Sequence, residues 1–242
     1  MAPSDEWRTA RRGAATVAWA LLMAALLGCA SPLSPTPSPT PAVATEQPSA
    51  SAEPRLTSPS PEVIYREDFA SERSWYRFVG DFGSGRVIDG KYRMRVGPDG
   101  SWLYSTSTTW PDVDDTTMEA TVTLDEGGSA VQATVVCRGV DAFTWYEAGV
   151  SSDGVAFIDQ VRDSDVTTLA TADTEPLTVG QSMRLELTCE GVRPATLGLA
   201  IDGRSVAEAS VPNGLALGFV GLAVSADGAA IVDFTDVVVR RP

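Results

Sequence analysis

Met118-Glu119-Ala120-Thr121-Val122-Thr123-Leu124 alternates large or small apolar residues with polar ones at every step. A period of two is the mark of a β-strand that buries one face and wets the other. The same rhythm recurs in Val131, Ala133 and Val135 around Gln132 and Thr134, and in Met183, Leu185 and Leu187 around Arg184, Glu186 and Thr188. Between such runs fall Asp89-Gly90, Asp99-Gly100, Asp153-Gly154, Asp202-Gly203, Asn213-Gly214 and Asp227-Gly228. These pairs tolerate the positive φ that tight hairpins require. No stretch of residues 63–242 sustains a helical period, and about 180 residues suffice for one sizeable core. The expectation is an all-β domain over 63–242, built as an antiparallel two-sheet sandwich.

The chain before this domain has another character. Residues 1–13 carry Arg8, Arg11 and Arg12, and residues 14–27 form an apolar run broken only by Thr16. That run is short of the roughly 20 apolar residues of a spanning helix and has the length of a signal-peptide core. It closes on Leu26-Leu27-Gly28-Cys29, which resembles the lipobox of bacterial lipoproteins. The resemblance implies cleavage after residue 28 and acylation of Cys29 as the new N-terminus. Residues 1–28 are thus expected to be a lipoprotein signal peptide. Residues 29–62 are expected to be the lipidated cysteine and a disordered linker. Nine of the sixteen prolines fall within residues 30–61, among Ser, Thr and Ala, and large apolar side chains that could offset the entropy of ordering are scarce there. At ~3.1 Å per residue such a spacer extends at most on the order of 100 Å. The expected location is the extracytoplasmic side of the cell membrane, with the lipid as the membrane attachment.

Charge and residue usage exclude several functions. The net charge of −14, about −15 once residues 1–28 are removed, disfavours nucleic acid and anionic lipid as direct partners. Histidine is absent, which removes serine–histidine and cysteine–histidine hydrolases and histidine-ligated zinc or copper. With Cys29 given to lipid, Cys137 and Cys189 remain as an exported pair, each near the end of an expected strand. A disulfide between them is the first reading. A two-cysteine redox or metal site is the second, weakened by the long separation.

Several features follow one another in a definite order. Glu67-Asp68-Phe69 precedes Trp75, and the hairpin Ile88-Asp89-Gly90-Lys91-Tyr92 follows. Val136-Cys137-Arg138, Trp145-Tyr146, Asp153-Gly154 and Leu185-Glu186-Leu187-Thr188-Cys189 come next. Ile201-Asp202-Gly203-Arg204, Gly218-Phe219-Val220-Gly221 and a last strand near Val232 complete the order. Over nearly all of residues 63–242 this resembles the concanavalin A-like (laminin G-like) jelly roll of bacterial exported proteins. The resemblance implies a fold that hosts lectins, glycosidases, adhesion modules and sensors, so it does not choose among them.

Exposed aromatic rings stack on sugar faces, so the clusters Trp102, Tyr104, Trp110 and Trp145, Tyr146 are the first candidates. With Tyr146, Ala148 and Val150 directed to the core, Trp145, Glu147 and Gly149 point outward. Trp145 and Glu147, with Gln132, Thr134 and Arg138 nearby, form the expected ligand-binding patch. Catalysis by two carboxylates has only the weak candidates Glu119 and Glu147, since the Glu-x-Asp-x-x-Glu string of the jelly-roll glucanases is missing. Asp68, Asp233 and Asp236 are weak calcium candidates by the same resemblance. The last strand reads Phe234-Thr235-Asp236 where the related pattern is Phe-Asp-Asn, which weakens that site. Asp112, Asp114 and Asp115 read as a charged loop. The function expected from the sequence is a lipid-anchored, non-catalytic binding module for a glycan or other envelope ligand. A glycoside hydrolase-like enzyme and a structural or protein-interaction module are the alternatives.

Overall fold

The computed structural model describes residues 61–108, 112–128 and 130–241. The signal peptide, Cys29, nearly all of the linker and Trp110 lie outside the described residues. In chain order the strands are β1 (Glu62–Glu67), β2 (Phe78–Gly80), β3 (Gly83–Ile88), β4 (Lys91–Val96) and β5 (Ser101–Thr106). There follow β6 (Thr116–Glu126), β7 (Gln132–Asp141), β8 (Thr144–Ser151), β9 (Val155–Arg162) and β10 (Asp165–Asp173). The last are β11 (Ser182–Glu190), β12 (Ala195–Ile201), β13 (Arg204–Val211), β14 (Phe219–Ala226) and β15 (Ala230–Arg241).

They form two antiparallel sheets. One has nine strands in the order β13-β12-β11-β6-β15-β4-β3-β2, with β1 also paired to β15. The other has six, in the order β10-β9-β8-β7-β14-β5. This is the antiparallel two-sheet sandwich that the alternation called for, of the jelly-roll kind that the resemblance implies.

The alternating runs bury the expected faces. Met118, Ala120, Val122 and Leu124 of β6 face the six-stranded sheet in one core with Leu185, Leu187, Ala133, Val135 and Tyr146. Burying each large side chain contributes about 1.5–3 kcal/mol, and a one-residue slip would move a whole row into water. Register is pinned at the hairpins. Asp89 and Gly90 have φ of 51° and 73°, and Asp202 and Gly203 have 51° and 77°. Two successive left-handed residues make the type I′ geometry that joins β3 to β4 and β12 to β13 without splaying the strands. Strand β15 occupies the middle of its sheet, bonded to β6 along one edge and to β4 and then β1 along the other.

Cys137 on β7 and Cys189 on β11 are joined in a disulfide. Both are fully buried, so the bond staples one sheet to the other through the core. Its 52-residue separation makes the cross-link effective against the unfolded chain. Replacing both cysteines by alanine is expected to lower unfolding free energy by about 2–4 kcal/mol in denaturant titrations. An unchanged midpoint would refute that contribution.

Candidate functional site

The six-stranded sheet turns one face to the core and the other outward. On β5, Leu103 joins the core, so Trp102 and Tyr104 point out. On β8, Tyr146, Ala148 and Val150 are core, so Trp145 and Glu147 point out as expected. Strands β5 and β8 are three strand spacings apart, about 14 Å. The two indoles close that gap by leaning together, with ring centroids 4.9 Å apart and planes 5° from parallel. Tyr104 completes the group at 5.3 Å from Trp102 and 5.6 Å from Trp145. They close over a floor of small side chains. Tyr104 is registered with Ala223, Ala223 with Thr134, and Thr134 with Gly149.

Trp145 is the inner member, only 2% exposed, whereas Trp102 and Tyr104 are half-buried. Trp145 Nε1 donates to Glu147 Oε2 at 3.2 Å, and Glu147 is completely buried. Directly opposite Glu147 on β9 stands Asp159, 4% exposed. Thr134 Oγ1 donates to the Ala223 carbonyl at 3.3 Å, and Ser225 Oγ donates to Gln132 Oε1 at 2.9 Å. Burial is the main cause raising the Tyr104 phenol above its ordinary value, and Tyr76 and Asp141 add to it. The structure therefore brings Trp145, Glu147, Gln132 and Thr134 onto one face. It adds Trp102, Tyr104 and Asp159, which sequence reasoning did not place there. Asp159 was readable in principle, because Ala156 and Ile158 alternate with Phe157 and Asp159 along β9.

Arg138 does not join them. Alternation along β7 would point it outward beside Trp145, but its φ of 51° breaks the strand rhythm and turns the side chain to the end of the sandwich. There the guanidinium is fully buried. It donates to the carbonyls of Gly191, Leu215 (2.8 Å) and Cys189 (3.2 Å), and to the Asp115 carboxylate at 2.8 Å. Asp115 also accepts from the Gly191 amide at 2.9 Å. The acidic loop at 112–115 thus holds an arginine, and Arg138 is a structural hub.

The weak catalytic pair is also separated. Glu119 lies on the outer face of the nine-stranded sheet, ion-paired with Arg240, whereas Glu147 lies on the outer face of the other sheet. The core stands between them, so the two carboxylates cannot flank one bond. The calcium candidates are likewise committed elsewhere. Asp68 Oδ1 accepts the Ala70 amide at 3.0 Å, and Asp236, at φ 53°, takes the Thr235 hydroxyl at 3.0 Å. Asp233 is held by Lys91 at 2.5 Å and Arg93 at 2.7 Å. Among the described residues no three acidic, cysteine or histidine side chains are grouped to hold a metal ion.

No protein-family model matches this sequence, and no curated protein matches it. Solved structures do. The carbohydrate-binding module CBM66 from Bacillus subtilis is similar at TM-score 0.57 and 18% identity, over 70% of this chain and 96% of that one. A Bacillus subtilis protein of unknown function with a galectin-like fold aligns at 0.56 and 11% identity, over 74% and 96%. A β-glucanase from Bacillus licheniformis aligns at 0.53 and 8% identity, over 74% and 97%. At these identities the likeness defines the fold, a concanavalin A-like jelly roll. That class includes both binding modules and glycan-cleaving enzymes.

Two outcomes follow from the polar anchors. Arg138→Met strips donors from the carbonyls of Asp114, Cys189, Gly191 and Leu215 and from the Asp115 carboxylate, and is expected to cost about 3–5 kcal/mol in chemical denaturation. A loss within experimental error of zero would show that the end of the sandwich does not rely on it. Burial pushes the Asp233 carboxyl up, but hydrogen bonds and charge from Arg93 and Lys91 outweigh it and hold it below its ordinary value. A depressed carboxylate stabilises the fold above its unfolded value, near ~4, and loses that contribution as pH falls through the lower folded value. Asp233→Asn should therefore melt lower than the parent at neutral pH and converge with it in strong acid. Parallel curves at every pH would contradict this.

Proposed function

We propose that this chain is a non-catalytic glycan-binding module, held at the outer face of the cell membrane by lipid on Cys29 and spaced from it by residues 30–61. The observation that carries the binding role is the aromatic stack on the six-stranded sheet. Three nearly parallel rings offer a preassembled apolar ledge, and the half-buried Trp102 and Tyr104 form its accessible part. Sugar C–H faces pack on such rings, and the half-buried Gln132 amide, held by Ser225, is the polar group beside them that can orient hydroxyls. The structural likeness to a carbohydrate-binding module supports the same reading.

One observation favours a glycoside hydrolase-like enzyme instead. Glu147 and Asp159 stand directly opposite each other on β8 and β9, as two carboxylates on one face. Both, however, are buried, and Glu147 is already bonded to Trp145. Carboxylates that protonate a glycosidic oxygen or activate water must meet the substrate, so this pair supports catalysis less well than binding.

Calorimetric titration with glycans checks the reading. Trp102→Ala is expected to weaken binding by about 2 kcal/mol, roughly thirtyfold, with little change in melting temperature. Equal affinity of parent and variant would remove Trp102 from the ligand surface, and release of reducing ends from any bound glycan would favour the enzyme. For the anchor, Cys29→Ala should abolish incorporation of labelled palmitate and move the protein out of the membrane fraction. Continued membrane recovery without label would refute lipid anchoring.

A further inference from the structure

The two outer faces of the sandwich differ in their cations, and on the nine-stranded face Lys91, Arg93 and Arg240 are paired with acids of the same face. Lys91, Arg93 and Arg86 stand on the nine-stranded face, with Arg184 and Arg240 further along it. In the six-stranded sheet only two strand residues are basic, Arg138 and Arg162. Arg138 is turned to the end of the sandwich by its left-handed backbone. Arg162 is the last residue of β9, registered with Asp165 at the β10 turn, and has the parity of the core-facing Ile158 rather than of Asp159. No strand therefore aims a cation outward beside the aromatic stack. The acids on that face are Glu147, bonded to the Trp145 indole, Asp159 opposite it on β9, and Asp173 at the edge strand. The charge of Asp141, after burial and Tyr76, adds to the upward shift of the Tyr104 phenol.

Charge set in a low-dielectric wall is poorly screened, and its field reaches a ligand lying on the rings without direct contact. A carboxylate or phosphate group docked there would meet like charge, and among the described residues no strand of this sheet aims an arginine at it. Sites that select acidic sugars need such a clamp. A neutral sugar loses nothing, and a protonated amine gains.

Resting on the glycan-binding reading, we infer that the Trp102–Tyr104–Trp145 face selects uncharged or amine-bearing glycans and rejects those carrying uronate, sulfate or phosphate groups. Selection is electrostatic and comes from the carboxylates around the stack, while the rings supply shape.

The test is a glycan array with the full-length protein in neutral detergent. For each backbone and linkage it includes the neutral, the amine-bearing and the uronate-bearing form. At low salt the amine form is expected to bind about tenfold more tightly than the neutral one, and the uronate form about tenfold more weakly. Both gaps should shrink in high salt. Asp141→Asn, an exposed change, and Glu147→Gln, which keeps an acceptor for the Trp145 indole, should each narrow the gaps. If Glu147→Gln fails to fold, Asp141→Asn and the salt series still decide. Uronate forms bound as tightly as neutral ones, or gaps indifferent to salt, would overturn the selection while leaving glycan binding intact. A folded protein that binds no form of any glycan overturns the binding reading and this inference together.

Discussion

A single break in strand rhythm at Arg138 organises one end of this sandwich. The residues before it alternate strictly, with Ala133, Val135 and Cys137 in the core. One left-handed residue then sends a guanidinium sideways into a nest of carbonyls from Asp114, from Cys189 and Gly191, and from Leu215. A buried cation is costly unless its donors are met, and here backbone oxygens and Asp115 meet them. The next residue inward, Cys137, carries the bond to the opposite sheet. Covalent and polar ties thus converge where the β7, β11 and β14 segments meet.

That diversion also shapes the other face. Had β7 kept its period, a positive group would sit beside Trp145, and the aromatic ledge would offer an anion clamp. Instead the ledge adjoins Glu147, with Asp159 opposite it on β9, and the cations of the strands gather on the opposite sheet. Small residues complete the arrangement. Ala223 and Gly149 leave room for two indoles from strands three positions apart to lie flat on each other. The same closure buries Glu147 against the Trp145 indole.

Much of this was legible before any coordinates. Alternation along β6, β8 and β11 gives the inward rows correctly, and Asp-Gly pairs mark the hairpins at residues 89–90 and 202–203. Trp145 and Glu147 were assigned to the outward face on periodicity alone, and they lie there. Arg138 was misplaced, because a single left-handed non-glycine residue leaves no mark in a period-two pattern. Glu119 was paired with Glu147 for the same kind of reason. Periodicity tells inward from outward, but both sheets have an outward side.

The sequence by itself determined the class of fold, the core rows and the pairing of two cysteines, since these follow from local alternation, turn chemistry and a small count of thiols. Strand order was decided only by the tertiary structure. It put β5 and β8 in one sheet, with Trp102 against Trp145 and Asp159 opposite Glu147. Such pairings join residues far apart in the chain. They depend on how two sheets share one core, which no local pattern records.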